Sequence, residues 1–251
     1  MIAEAPVNVK LEKPTIELPN WEDEARQWEK LNRAANGNPA FYPLTIKGAY
    51  LIGVIYEICA CVDLLLKATP VNSVRYLSAY GIFASGVEFL GRCLRGNEGT
   101  RGSSDDLEEG YLYMASAVFK NFENQTKESQ LRTVLGSVIN HGYTIPNLVA
   151  LRHFAAHGQA TSGKEKESEY YKFGNIDFEI LAPLPSFMGK GLDKYWKKLQ
   201  ESEDMCNNLA KANVIAFRNA PIDESWTLFE PDATGKHHSI VEIFSRFSWQ
   251  V

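Results

Sequence analysis

The sequence predicts an all-α fold: an antiparallel helical bundle with a small irregular or β-containing C-terminal extension. Three observations predict it. Apolar residues recur at helical spacing through most of the chain. Helix punctuation recurs at the joints, with Asn or Pro at openings and Gly after last turns. An apolar fraction of 45% over 251 residues is ample for a packed core. The expected organisation is an extended arm over 1–20, a helical domain over 21–219 and an extension over 220–251.

The arm is rich in Pro and lacks periodicity. The segment 20–37 then has an Asn cap at Asn20, acidic residues in its first turn and Gly37 after its last. "TIKGAYLIGVIYEICACVDLLLKA", 45–68, is long enough to cross a bilayer, but Glu57 and Asp63 would sit in hydrocarbon at a cost of several kcal/mol. It reads as a central helix of a bundle, buried nearly all round, and not as a membrane segment. Residues 69–96, with Pro70 near their start, make the second arm of an antiparallel hairpin.

"GNEGTRGSSDD", 96–106, is Gly/Ser-rich but lacks the Gly-x-x-x-x-Gly-Lys-Ser/Thr pattern of a phosphate-cradling loop, and reads as a linker. Helical patterns follow at 105–122 and 127–142, and Pro146 opens a helix that Gly158 closes. After a polar loop, 192–219 reads as one amphipathic helix. The last thirty residues contain β-like pieces, "SWTLFE" and "SIVEIFSRF".

Charge and cysteine usage narrow the function classes. Acidic residues outnumber basic ones 31 to 26, for a net charge of -5, so a generic polyanion-binding surface is not expected and any nucleic-acid contact has to come from a local basic patch. Cys59, Cys61, Cys93 and Cys206 have no metal-finger spacing. Cys59 and Cys61 diverge by about 200° on a helix and cannot bridge, so free, largely buried thiols are expected. No basic region followed by an apolar stretch opens the chain, and a reducing, cytoplasmic setting is the expectation.

The chemistry-bearing stretch is "NLVALRHFAAHGQATSG", 147–163. On a helix His153 and His157 lie about 40° apart, with Arg152 about 100° before His153, so all three reach one pocket. Leu148, Val149, Leu151 and Phe154 supply the core-facing side, and Ala155 and Ala156 leave room near the histidines. A histidine in a last turn meets the negative end of the helix dipole, which favours imidazolium and makes His157 a proton donor near neutral pH.

Three readings compete. In the first, the histidines cap carbonyls and Arg152 is a surface or salt-bridging residue. In the second, His153 and His157, at i and i+4, hold a metal in a hydrolase. Phe154 stands where a helical zinc protease motif needs Glu, and further ligands would have to come from His141, His237, His238 or a carboxylate. In the third, a guanidinium stabilises charge on a phosphodiester while an imidazole moves a proton, and RNA supplies its own 2′-OH nucleophile, so neither metal nor cofactor is needed. One Arg and one His are few for that task, and a symmetric dimer doubles them.

Arg152-His153-Phe154-Ala155-Ala156-His157 resembles the signature of HEPN (higher-eukaryote and prokaryote nucleotide-binding) domains, in which Arg and His are separated by four to six residues and a polar residue often follows the Arg. The spacing here is four, with His153 in the polar position, and the resemblance covers about residues 40–160. It implies an all-α bundle that dimerises so that two motifs share a cleft, and a metal-independent endoribonuclease of toxin-antitoxin or other defence systems, with RNA and an antitoxin or regulatory protein as partners. It assigns phosphate binding to Arg152, acid/base catalysis to His157 and a supporting role to His153. Some members of the superfamily are non-catalytic nucleotide- or RNA-binding, regulatory or scaffolding modules, which gives the alternative function.

Overall fold

The computed structural model describes residues 42–68, 73–99, 103–133, 144–157, 178–199, 201–212, 233–236, 238–247 and 249. Among the described residues there are eight α-helices and two 3-10 turns, and no strand. The helices are α1 (Tyr42–Lys67), α2 (Ser73–Arg95), α3 (Ser104–Val118), α4 (Lys127–Leu131), α5 (Ile145–His157), α6 (Leu184–Leu199), α7 (Glu203–Lys211) and α8 (Ile240–Phe244). The expected arm, the 20–37 helix and the "SWTLFE" piece lie outside the described residues.

α1 and α2 form the expected hairpin. Leu51, Ile55, Cys59 and Val62 recur at helical spacing on α1 and are fully buried. The opposite side is not covered: Glu57 and Cys61 are exposed and Leu64 is 70% exposed. The expectation of a helix buried all round is corrected to one with a wet face, and with it the expectation that Cys61 is buried. The two cysteines diverge on the helix, so the geometry that forbids a bridge also sends one thiol in and the other out. Among the described residues no helix is long and apolar enough to cross a membrane.

α2 and α3 run antiparallel in backbone contact. A Cβ on Gly91 would overlap the Asp106 carbonyl, and one on Gly110 would overlap the Val87 carbonyl. The turn between them is built from polar groups. Gly96, at φ +64°, ends α2, and the Asn97 N–H bonds back to the Arg92 carbonyl at 3.1 Å. Asn208 of α7 donates to the Leu94 carbonyl at 2.6 Å, filling an acceptor that the helix end leaves open. At the start of α3, Ser103 and Asp106 form a reciprocal capping box, with bonds of 3.1 and 3.2 Å. The linker reading of 96–106 overlooked this cap.

α6 lies against α3. Gly191 faces Met114, Phe187 packs on Phe119, and Lys194 donates to Ser116 Oγ at 2.8 Å and to Glu123 at 2.5 Å. Here the expected single helix over 192–219 is corrected. α6 begins earlier, at Leu184, and a separate helix, α7, starts after Ser202, whose side chain accepts from the Met205 N–H at 3.3 Å. The β-like reading of "SIVEIFSRF" is also corrected. Ser239 and Glu242 form a capping box that turns Ile240–Phe244 into a helix. Phe244 fills the space left by Gly189 of α6, and Trp249 meets the Phe83 ring edge-on at 5.4 Å, so these C-terminal residues are part of the core.

Candidate functional site

α5 carries the Arg-His-His stretch. Its start is set by Thr144 and Asn147: the Thr144 N–H and hydroxyl both donate to Asn147 Oδ1, at 2.7 and 2.5 Å. From there the helix runs through His157, about three and a half turns in all. Ile145, Leu148 and Leu151 point into the core and are buried. Arg152 lies one turn after Leu148 and Ala155 two, on the side that meets α2, where Ala155 faces Gly81.

Arg152 does not sit on an open surface. Its Nη2 donates to Glu88 Oε2 of α2 at 2.7 Å, and the two side chains are only 23% and 12% exposed. A half-buried, charge-assisted bond of this length holds one end of the guanidinium against α2 and takes one of its five N–H donors. His153 is half-buried. The side chains of Phe154, Ala156 and His157 lie outside the described residues, as do His141 and His237. The helix itself places Arg152 and His157 about 140° apart around its axis and about 7.5 Å apart along it.

One turn before Arg152, α5 meets a pair of buried tyrosines. The Tyr80 hydroxyl of α2 donates to the Leu148 carbonyl at 2.6 Å and is 2.6 Å from the Tyr111 hydroxyl of α3. A carbonyl only accepts, so the single Tyr80 proton is committed to Leu148, and Tyr111 must donate to Tyr80. Burial, the largest cause for both, pushes the two phenols above their usual range.

Sequence reasoning missed Glu88, Tyr80 and Tyr111. A signal existed for the first: Tyr80, Ala84 and Glu88 fall at i, i+4 and i+8 on α2, so a carboxylate continues a buried stripe and calls for a cation. Nothing local to the sequence could show that the cation is 64 residues away.

Among the described residues, no group of three or more His, Cys, Asp or Glu side chains is placed to hold a metal ion. His238 lies 3.9 Å from Glu242, four residues on, at the start of α8. What α5 offers chemically is an oriented guanidinium followed, at the end of the same helix, by an imidazole-bearing residue. No family model, no curated protein and no solved structure matches the chain.

Proposed function

We propose that this protein is a metal-independent endoribonuclease of HEPN type, acting on RNA as a homodimer through Arg152 and His157. The observation that carries the reading is the half-buried Arg152–Glu88 bond at 2.7 Å, because a guanidinium that meets charge building on a phosphate must be held in place before that charge appears. Glu88 is then a positioning residue and the remaining Arg152 donors meet the substrate. The ribose 2′-OH forms the new bond to phosphorus and the bond to the 5′-oxygen breaks. His157 carries the proton from the one oxygen toward the other, Arg152 stabilises the phosphorane, and His153 supports them. Two copies facing across a two-fold axis supply two of each group. The setting is a cytoplasmic toxin-antitoxin or defence system with an antitoxin or regulatory partner.

A non-catalytic RNA- or nucleotide-binding module is the second reading, and the same pair favours it: Glu88 already balances the Arg152 charge that a phosphate would seek. Cleavage of single-stranded RNA in EDTA, with Arg152→Ala as control, separates the two. Activity lost in EDTA and restored by zinc would assign the site instead to a metal hydrolase using His153 and His157. Light scattering tests the dimer, and a stable monomer at high concentration would count against a site shared between copies.

A further inference from the structure

Tyr80 and Tyr111 are both fully buried, and their hydroxyls form a directed chain from α3 through α2 to a main-chain carbonyl of α5. The acceptor at its end is informative. In an α-helix the carbonyl of residue i receives the N–H of residue i+4, so the Leu148 carbonyl is the one that closes the turn to Arg152. A backbone carbonyl has a second lone pair, and here Tyr80 fills it. Apolar packing buries the Leu148 side chain, and a hydroxyl aimed at one carbonyl adds a directional constraint on the axial position and rotation of α5. The helices are also close beside this bond, since a Cβ on Gly81 would stand 3.1 Å from Ala155. Eight residues along α2 from Tyr80, on the same face, Glu88 takes the guanidinium. One helix thus holds both the main chain before Arg152 and the end of its side chain.

We infer that Tyr80, with Tyr111 donating to it from behind, is a second positioning residue of the α5 motif: its hydroxyl anchors the Leu148 carbonyl and so places the main chain that carries Arg152 to Glu88. For catalysis this rests on the nuclease reading, while the anchoring itself does not.

The test uses the full chain with Tyr80→Phe and the double variant Tyr80→Phe/Tyr111→Phe. The single variant leaves the buried Tyr111 hydroxyl without its acceptor and lowers global stability, which by itself would say little about α5. The double variant removes both hydroxyls, and a buried polar pair replaced by apolar groups of the same shape is nearly neutral. Its denaturation midpoint is therefore expected to recover most of the single variant's loss, with only the bond to the Leu148 carbonyl still missing. Amide hydrogen exchange of 145–157 is nevertheless expected to stay roughly five-fold faster than wild type in both variants, the size of one net hydrogen bond, with exchange in α1 and α6 unchanged. Cleavage of RNA by the double variant is expected to show a fall in kcat with KM unchanged. Exchange in α5 equal to wild type in the double variant, or faster exchange spread evenly over all helices, would overturn the inference. Restored stability with kcat also at the wild-type level would overturn the positioning role. The exchange experiment decides the anchoring even when wild-type protein cleaves no RNA, so failure of the nuclease reading and failure of the anchor are read separately.

Discussion

Gly91 of α2 stands flush against the Asp106 carbonyl at the start of α3, so close that a single added methyl would overlap it. This contact sets the spacing of the helix pair at the centre of the core. Gly91→Ala is expected to destabilise by about 1–3 kcal/mol or more, because backbone cannot move aside as a flexible side chain does. Gly86→Ala is the control. Its Cβ would meet Ile55 and Ile58 at an ordinary 3.5 Å, and the gain in helix propensity of up to about 1 kcal/mol offsets any crowding. Urea midpoints at constant slope check both, and equal midpoints for the two variants would contradict the close approach.

Asp106 is completely buried, and its carboxylate receives Arg95 at 3.1 Å, Asn97 at 2.7 Å and the Ser103 N–H at 3.2 Å, with the buried Arg92 Nε 4.0 Å away. Asp106→Asn keeps the shape, removes the charge opposite two guanidinium groups and turns one acceptor into a donor. A loss on the order of 3–5 kcal/mol is expected. Arg95→Gln, at a side chain 39% exposed, should cost less, about 1 kcal/mol. A smaller loss for Asp106→Asn than for Arg95→Gln would contradict the description of this turn.

The four cysteines divide three to one. Cys61 is exposed, while Cys59, Cys93 and Cys206 are buried, and burial raises the Cys59 and Cys206 thiols above their usual range. Native protein treated briefly with a thiol reagent should carry one label, and mass spectrometry of peptides should place it on Cys61. Comparable labelling of Cys59 would contradict the α1 register.

Glu242 caps α8 as a carboxylate. The Ser239 N–H, then Lys236 and the Ser239 hydroxyl, hold it down to about 2 from an ordinary 4.5. Its contribution to the helix is therefore complete above about pH 4.5 and is lost as the pH falls through about 2. An NMR titration of the Glu242 carboxyl should give a midpoint well below 4.5, and a midpoint at 4.5 would mean that the capping box does not form.

The parts of this fold legible in the sequence are those with a local cause. The α1–α2 hairpin follows from apolar periodicity and Pro70, and α5 from its Pro and its helix formers. Where the reading failed, a longer-range cause decided. Gly189 and Gly191 are poor helix formers that hide the first half of α6, yet they are there to admit Phe244 and Met114. The β-branched Ile240, Val241 and Ile243 suggest a strand until the Ser239 cap is weighed against them. The amphipathic pattern runs on through Ser202, where the chain caps a new helix. At the candidate site the Arg-His spacing is visible in one line of sequence. The partners of Glu88 and Tyr80 are not, because they are 64 and 68 residues away and one of them is a main-chain carbonyl.

Cleavage of single-stranded RNA by the purified protein in EDTA tests the proposed chemistry most directly. Wild type should cleave and leave 2′,3′-cyclic phosphate ends, and an all-deoxy strand should survive because it lacks the nucleophile. Arg152→Ala and His157→Ala should each lose about 2.7–4 kcal/mol of transition-state stabilisation, roughly 10²- to 10³-fold in kcat, with helical content by circular dichroism near the wild-type value. His153→Ala should lose less, and Glu88→Gln should slow cleavage by loosening the guanidinium it orients. Cleavage of the all-deoxy strand, activity that vanishes in EDTA and returns with zinc, or no cleavage of any RNA by the dimer would contradict a metal-independent ribonuclease built on Arg152 and His157.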